Sequence, residues 1–198
     1  KQLDSLADMV TFGVAPGMIM MIMFVIIDTQ SMSGDSLAIW VSRCTNLEVA
    51  HMYPLLALLI PFFSLFRLAK FNLDTRQTES FIGLPTPANT LFFMSFPLVA
   101  MYSDGGSGIM STVNEFMFHP ISISVAIIVM SLLLVSEIPL FSLKFKSFGI
   151  KGNEIRYAFL LISLAFIVIF KAWALALIVF LYLVLSIIEN YVLKDKKS

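Results

Sequence analysis

Charged residues are scarce in this sequence. Asp, Glu, Lys and Arg make up 13% of its 198 residues, against about 25% in average soluble domains. The 13 basic and 13 acidic residues cancel, so no overall field draws the chain toward nucleic acid or an acidic partner. One cysteine, Cys44, rules out an internal disulfide and any CxxC redox or metal site. It reads as a small apolar filler. The two histidines, His51 and His119, lie near expected helix ends and share no motif, so both read as interfacial residues rather than ligands. No secretory leader pattern, internal repeat or low-complexity tract is present. The sequence opens at Lys1 within a helical pattern, which suggests a piece of a longer chain.

Apolar residues fill the space that charge leaves. They form 59% of the chain, and mean hydropathy is +0.91, more than one soluble core of this size can hide. Runs approaching the roughly 20 residues needed to cross a bilayer recur along the sequence. The expected fold is all-α: a polytopic integral membrane helical bundle of about six spans, forming one transmembrane domain over residues 1–198. The spans are placed at about 1–27, 47–72, 88–103, 120–141, 155–170 and 172–193. Gly13 and Gly17 make a small-xxx-small pair suited to close helix contact. Pro16 falls inside the first span, and Pro54 and Pro61 mark expected kinks in the second. Lys171 beside Trp173 marks a turn that divides the last two spans.

Loop charges test this layout. If the Lys1 end is cytoplasmic and the chain alternates sides, one face collects Lys1, Arg67, Lys70, Arg76, Lys144, Lys146, Lys151, Arg156, Lys194, Lys196 and Lys197. The other keeps only Arg43 and Lys171. That bias is the one cytoplasmic loops carry. Residues 103–118, with Asp104 and Glu115 and no basic residue, read as an outer loop. Residues 36–45 are too short and polar to cross, and fit either an interfacial segment or an ordinary loop.

Asp4 and Asp8 stand four residues apart, so a helix places both carboxylates on one face, with Thr11 and Ala15 continuing it. Such a pair can hold a hard divalent cation, Mg2+ or Mn2+. It can equally be two acids in the headgroup layer that complement a helix start. At the end of the second span, FRLAKFN brings Arg67 and Lys70 to the same membrane face, with Arg76 in the loop beyond. Arginine can grip a phosphate or carboxylate bidentately. Arg67 lies within the apolar register, where an ionisable side chain is more often functional than anchoring. The remaining basic residues of that face read as anchors to anionic lipid. In GLPTPAN, Gly83 allows unusual backbone shapes and Pro85 and Pro87 stiffen the start of the third span. Thr86 and Asn89 offer short polar side chains there.

These segments, in this order, resemble the CDP-alcohol phosphatidyltransferases, and most of all their serine-using bacterial branch. The family signature reads D-x-x-D-G-x-x-A-R, then G-x-x-x-D-x-x-x-D. Asp4 and Asp8 match its last two aspartates, and LADMVTFGVAPG, FRLAKFN, GLPTPAN and, more weakly, SEIPLFSLKFK resemble that branch. The first half of the signature is absent, which implies that the family's first helices and half of its metal site precede Lys1. The resemblance implies transfer of a phosphatidyl group from CDP-diacylglycerol to L-serine, with release of CMP. It implies two divalent cations held by four carboxylates, Asp4 and Asp8 among them, with Asp8 as general base. Arg67 and Lys70, then Asn72, Thr86 and Asn89, become the substrate-binding candidates. It also implies a homodimer in the bacterial inner membrane with its active site facing the cytoplasm. A family member that uses glycerol phosphate or inositol would share the aspartates, and a transporter or scaffold would share the helices.

Overall fold

The computed structural model describes residues 2–30, 34–46, 48–73, 81–102, 109–140, 149 and 153–193. Lys1, Arg76, Lys144, Lys146, Lys151, Lys194, Lys196 and Lys197, much of the expected cytoplasmic charge, lie outside them. Asp104 of the expected outer loop lies outside them too. The described residues are helical almost throughout. One short antiparallel pairing interrupts them, between β1 (Phe81–Ile82) and β2 (Pro139–Leu140), in which Phe81 faces Leu140 and Ile82 faces Pro139. The chain divides into two compact units, Lys1–Phe66 with Ser103–Leu132, and Arg67–Tyr102 with Leu133–Ser198.

In the first unit, helix α1 (Gln2–Met9) passes through a π turn, Val10–Val14, into α2 (Ala15–Thr29). The π turn precedes Pro16, which has no N–H to return to the preceding turn, and such insertions are a common way for a helix to absorb that loss. Gly13, Pro16, Gly17, Met20 and Phe24 are buried, with Gly13, Gly17, Met20 and Phe24 three or four residues apart along one stripe. The expected small-residue contact is present. A Cβ on Gly13 would stand 3.0 Å from the Ser64 Cβ, and one on Gly17 would stand 2.7 Å from the Pro61 Cδ. Residues rising from 13 to 17 thus meet residues falling from 64 to 57, so the two helices run antiparallel.

Pro54 and Pro61 flank a change of helical geometry in the second expected span. Pro54 opens a 3-10 turn, Tyr53–Leu58, where its missing N–H has no partner to lose. Pro61 lies at the switch from that turn into α4 (Leu59–Leu73), since it cannot return an N–H to Ala57. Both lie in the continuous helical run Tyr53–Leu73, which passes from 3-10 to α geometry between them. Between α2 and this turn, Ser36–Thr45 forms a helix, α3, that rests on α2. The outer loop expected over 103–118 contains a nine-residue helix, α6 (Ile109–Met117).

In the second unit, α5 (Thr86–Tyr102) starts where Pro85 and Pro87 favour a first turn. The fourth apolar segment forms α7 (Pro120–Val135), whose residues up to Leu132 belong to the first unit, and it stops earlier than expected. Ile138 precedes Pro139 and is steered out of helical geometry, and the chain turns into β2 instead. Helices α8 (Glu154–Phe170) and α9 (Ala174–Ile187) fold back on one another at Lys171, which adopts φ 48° and ψ −110°. The turn read at Lys171 and Trp173 is present.

Among the described residues, three helical runs are long and apolar enough to cross a bilayer by length and composition: Leu3–Thr29, Tyr53–Leu73 and Glu154–Asn190, the last holding the α8–α9 turn. Helices α5 and α7, with 17 and 16 residues, rise about 24–26 Å, short of the roughly 30 Å of hydrocarbon. The outward face of α8 is apolar, with Leu161, Leu164, Val168 and Ile169 60–71% exposed. Such a surface suits lipid rather than water.

Candidate functional site

Asp4 and Asp8 both lie in α1, so the one-turn spacing on a shared face holds. Asp4 is exposed and Asp8 half-buried. Thr11 falls within the π turn, so Thr11 and Ala15 do not continue the aspartate face in α-helical register, although both are exposed. Among the described residues no Lys or Arg forms an ion pair with either aspartate. Nor do three or more acidic, His or Cys side chains cluster as a complete metal site. Two hard oxygen donors one turn apart fit a divalent cation as part of a donor set, since Mg2+ wants six oxygens.

The other candidates all belong to the second unit. Arg67 is buried at 7% exposure, and its Nε–H donates to the Leu84 carbonyl at 3.0 Å. Its guanidinium lies 5.4 Å from the centre of the Phe71 ring, a cation–π contact. One turn on, Lys70 Nζ stands 3.3 Å from Glu137 Oε1. Asn72 lies half-buried in the last turn of α4. Thr86 is buried in the first turn of α5, and Asn89 is wholly buried, with neither its Oδ1 nor its Nδ2 hydrogen-bonded among the described residues. A buried amide with both ends unmatched is costly unless something pairs with it.

Backbone contacts fix this arrangement. Gly83 has φ +75°, and its N–H donates to the Ile138 carbonyl at 3.0 Å, while the Leu84 N–H reaches the Leu133 carbonyl at 2.9 Å. A Cβ on Gly83 would stand 2.7 Å from the Leu134 carbonyl oxygen and 2.8 Å from that of Ser136, so only glycine fits. From the other side, Asn190 Nδ2 donates to the Pro139 and Ser186 carbonyls at 2.8 Å each. Three sequence segments distant in the chain, FRLAKFN, GLPTPAN and SEIPL, therefore meet in one place.

Over 138 residues the chain is 28% identical to the CDP-diacylglycerol–serine O-phosphatidyltransferase of Bacillus subtilis (strain 168). The match covers 70% of this chain and 56% of that protein, so the chain spans little more than half the relative's length. No protein-family model and no solved structure matches. At this identity the likeness speaks for a related phosphatidyltransferase of phospholipid synthesis, not for one acceptor alcohol.

Sequence reasoning missed two features. Glu137 joins the Arg67 region through Lys70, and Tyr182 is buried in α9 of the same unit, 6.1 Å from the Phe159 ring between centroids. Separately, in the first unit, the Asp28 side chain is 3% exposed and meets His51 Nδ1 at 2.6 Å and Arg43 Nη1 at 2.8 Å. Tyr53 hydrogen-bonds Asp28 as well, and the Trp40 Nε1–H donates to the His51 carbonyl at 2.8 Å. His51 is thus part of a partly exposed charge network centred on the buried Asp28. The one available signal was an acid at the end of an apolar run, Asp28 after Ile27.

Proposed function

We propose that this chain is the larger part of a membrane phosphatidyltransferase that moves a phosphatidyl group from CDP-diacylglycerol to the hydroxyl of L-serine. The likeness to the Bacillus subtilis enzyme carries the reading, because the residues expected for the chemistry fall within segments resembling its branch. We read the chain as one transmembrane domain with six crossings in the bacterial inner membrane, its Asp4 end cytoplasmic. Nucleotide then stays in water while the acyl chains stay in the bilayer. Homodimerisation belongs to the same reading.

In this mechanism the serine oxygen attacks the phosphorus that bears diacylglycerol. The pyrophosphate P–O bond to CMP breaks, and CMP leaves with the bonding pair. Asp8 takes the hydroxyl proton, general-base help typically worth about 10²–10⁴-fold. Asp4 and Asp8 would hold divalent metal, Mg2+ or Mn2+, with carboxylates outside this chain, and the pair of cations would offset charge on the pyrophosphate oxygens. Arg67 supplies a fixed cation for a phosphate or the serine carboxylate, seated by Leu84 and Phe71. Lys70 adds a second positive charge, offset by Glu137. Asn72 and Thr86 supply polar contacts, and the unmatched Asn89 amide supplies a donor and an acceptor.

The test uses the full-length protein in vesicles with CDP-diacylglycerol and L-serine, glycerol phosphate or inositol in turn. CMP release with serine alone is expected. Asp8→Asn should abolish release while insertion and thermal stability persist; wild-type turnover in that variant removes Asp8 as the base. Release with another alcohol and none with serine overturns the assigned acceptor.

A further inference from the structure

The second unit holds a cavity of about 270 Å³ that the chemistry above leaves unused. Pro85, Ala88 and Leu91 of the α5 start, Phe159 of α8, and Ile178 and Tyr182 of α9 line it. Its wall is almost wholly apolar, and among the described residues no charged side chain lines it. It is smaller than the roughly 300–1,000 Å³ pockets that enclose a drug-sized ligand, so it suits one flexible chain rather than a whole lipid.

What borders the cavity identifies its occupant. Pro85 follows Leu84, whose carbonyl is held by the Arg67 Nε–H at 3.0 Å. Tyr182 closes the cavity beside the Phe159 ring at 6.1 Å between centroids. An apolar slot therefore adjoins a buried cation along the backbone from Leu84 to Pro85. That pairing matches an amphiphile with an anionic head and a hydrocarbon tail. A soluble nucleotide or amino acid would gain nothing from such walls.

We propose that this cavity seats one acyl chain of the lipid substrate and sets the enzyme's chain-length preference. The inference rests on the phosphatidyl-transfer reading. Each methylene buried there adds to affinity, so long chains gain and very short ones do not. Ala88 and Leu91, the latter 46% exposed, are the lining positions at which a larger side chain would narrow the slot.

The experiment measures KM for CDP-dioleoylglycerol and CDP-dihexanoylglycerol with full-length wild type, Ala88→Phe and Leu91→Phe. Filling the slot should raise KM for the long-chain lipid about tenfold, the worth of roughly two excluded methylenes. KM for the short-chain lipid should stay within twofold. Equal changes for both lipids in a folded variant overturn the proposal. A photoreactive phosphatidic acid carrying a diazirine in one chain reads the cavity without turnover. Labelling of Phe159 and Tyr182 in wild type, lost in Leu91→Phe, supports it. Labelling spread along Leu161, Leu164 and Val168 instead overturns it. A wild type that releases no CMP yet is labelled at Phe159 and Tyr182 defeats the transferase reading alone and keeps the lipid slot.

Discussion

The Nε of Arg67 and the carbonyl oxygen of Leu84 lie 3.0 Å apart, which ties the end of α4 to the segment that starts α5. The guanidinium is thereby oriented as well as charged, and a lysine would keep the charge without the fork. Arg67→Lys should raise KM for the charged substrate about tenfold, since the altered geometry weakens a charge-assisted contact worth about 1.5–3 kcal/mol. Arg67→Ala should raise it further. Steady-state kinetics on the full-length protein decide it, and unchanged KM in both variants reduces Arg67 to a membrane anchor.

Gly83 is expected to reject every side chain. Gly83→Ala combines a left-handed backbone, which costs a non-glycine residue about 1–3 kcal/mol, with a Cβ pressed against two carbonyl oxygens at 2.7 and 2.8 Å. The melting temperature in detergent should fall by several degrees and activity should fall with it. Gly34→Ala is the control, because nothing lies within 4 Å of a Cβ there. Equal melting temperatures for the two variants would contradict the geometry at Gly83.

Asp28 carries a stability prediction independent of any enzyme reading. Its carboxylate is 3% exposed while Arg43 and His51 are 32% and 34% exposed at their side chains. The loss in Asp28→Asn should therefore fall between the ~1 kcal/mol of an exposed pair and the ~3–5 kcal/mol of a buried one. A double-mutant cycle with Arg43→Ala, read by thermal unfolding, should show coupling of the same sign. Additive losses would mean that the two residues act separately.

Chelation provides the fourth test. EDTA should stop CMP release by the full-length protein, and Mg2+ or Mn2+ in excess should restore it. In Asp4→Asn the cation concentration for half-maximal rate should rise. A rate indifferent to EDTA removes the metal role from Asp4 and Asp8 together.

The helices were legible because apolar runs broken by Pro, Gly and charge leave few alternatives, and Lys171 with Trp173 marked the α8–α9 turn for the same reason. Asp4 and Asp8 could be read as a pair because helical period alone relates them. The β1–β2 pairing could not, since two-residue strands carry no period and Pro139 looked like the tail of an apolar helix. The π turn at Val10–Val14 was likewise invisible, and with it the displacement of Thr11 from the aspartate face. Asp28, Arg43 and His51 sit up to 23 residues apart with no motif between them, so only folding reveals that they share a charge network.

The reversal at Lys171 has a bearing on biogenesis. If α8 and α9 each cross the bilayer, their fold-back brings both ends of the stretch from Glu154 to Asn190 to one side, with Lys171 at the far tip. The ammonium of Lys171 would then have to pass the hydrocarbon once. Insertion scales set that toll at roughly 2.5–3.5 kcal/mol for a lysine at mid-membrane. The leucines, valines and isoleucines that flank it would supply the opposing pull.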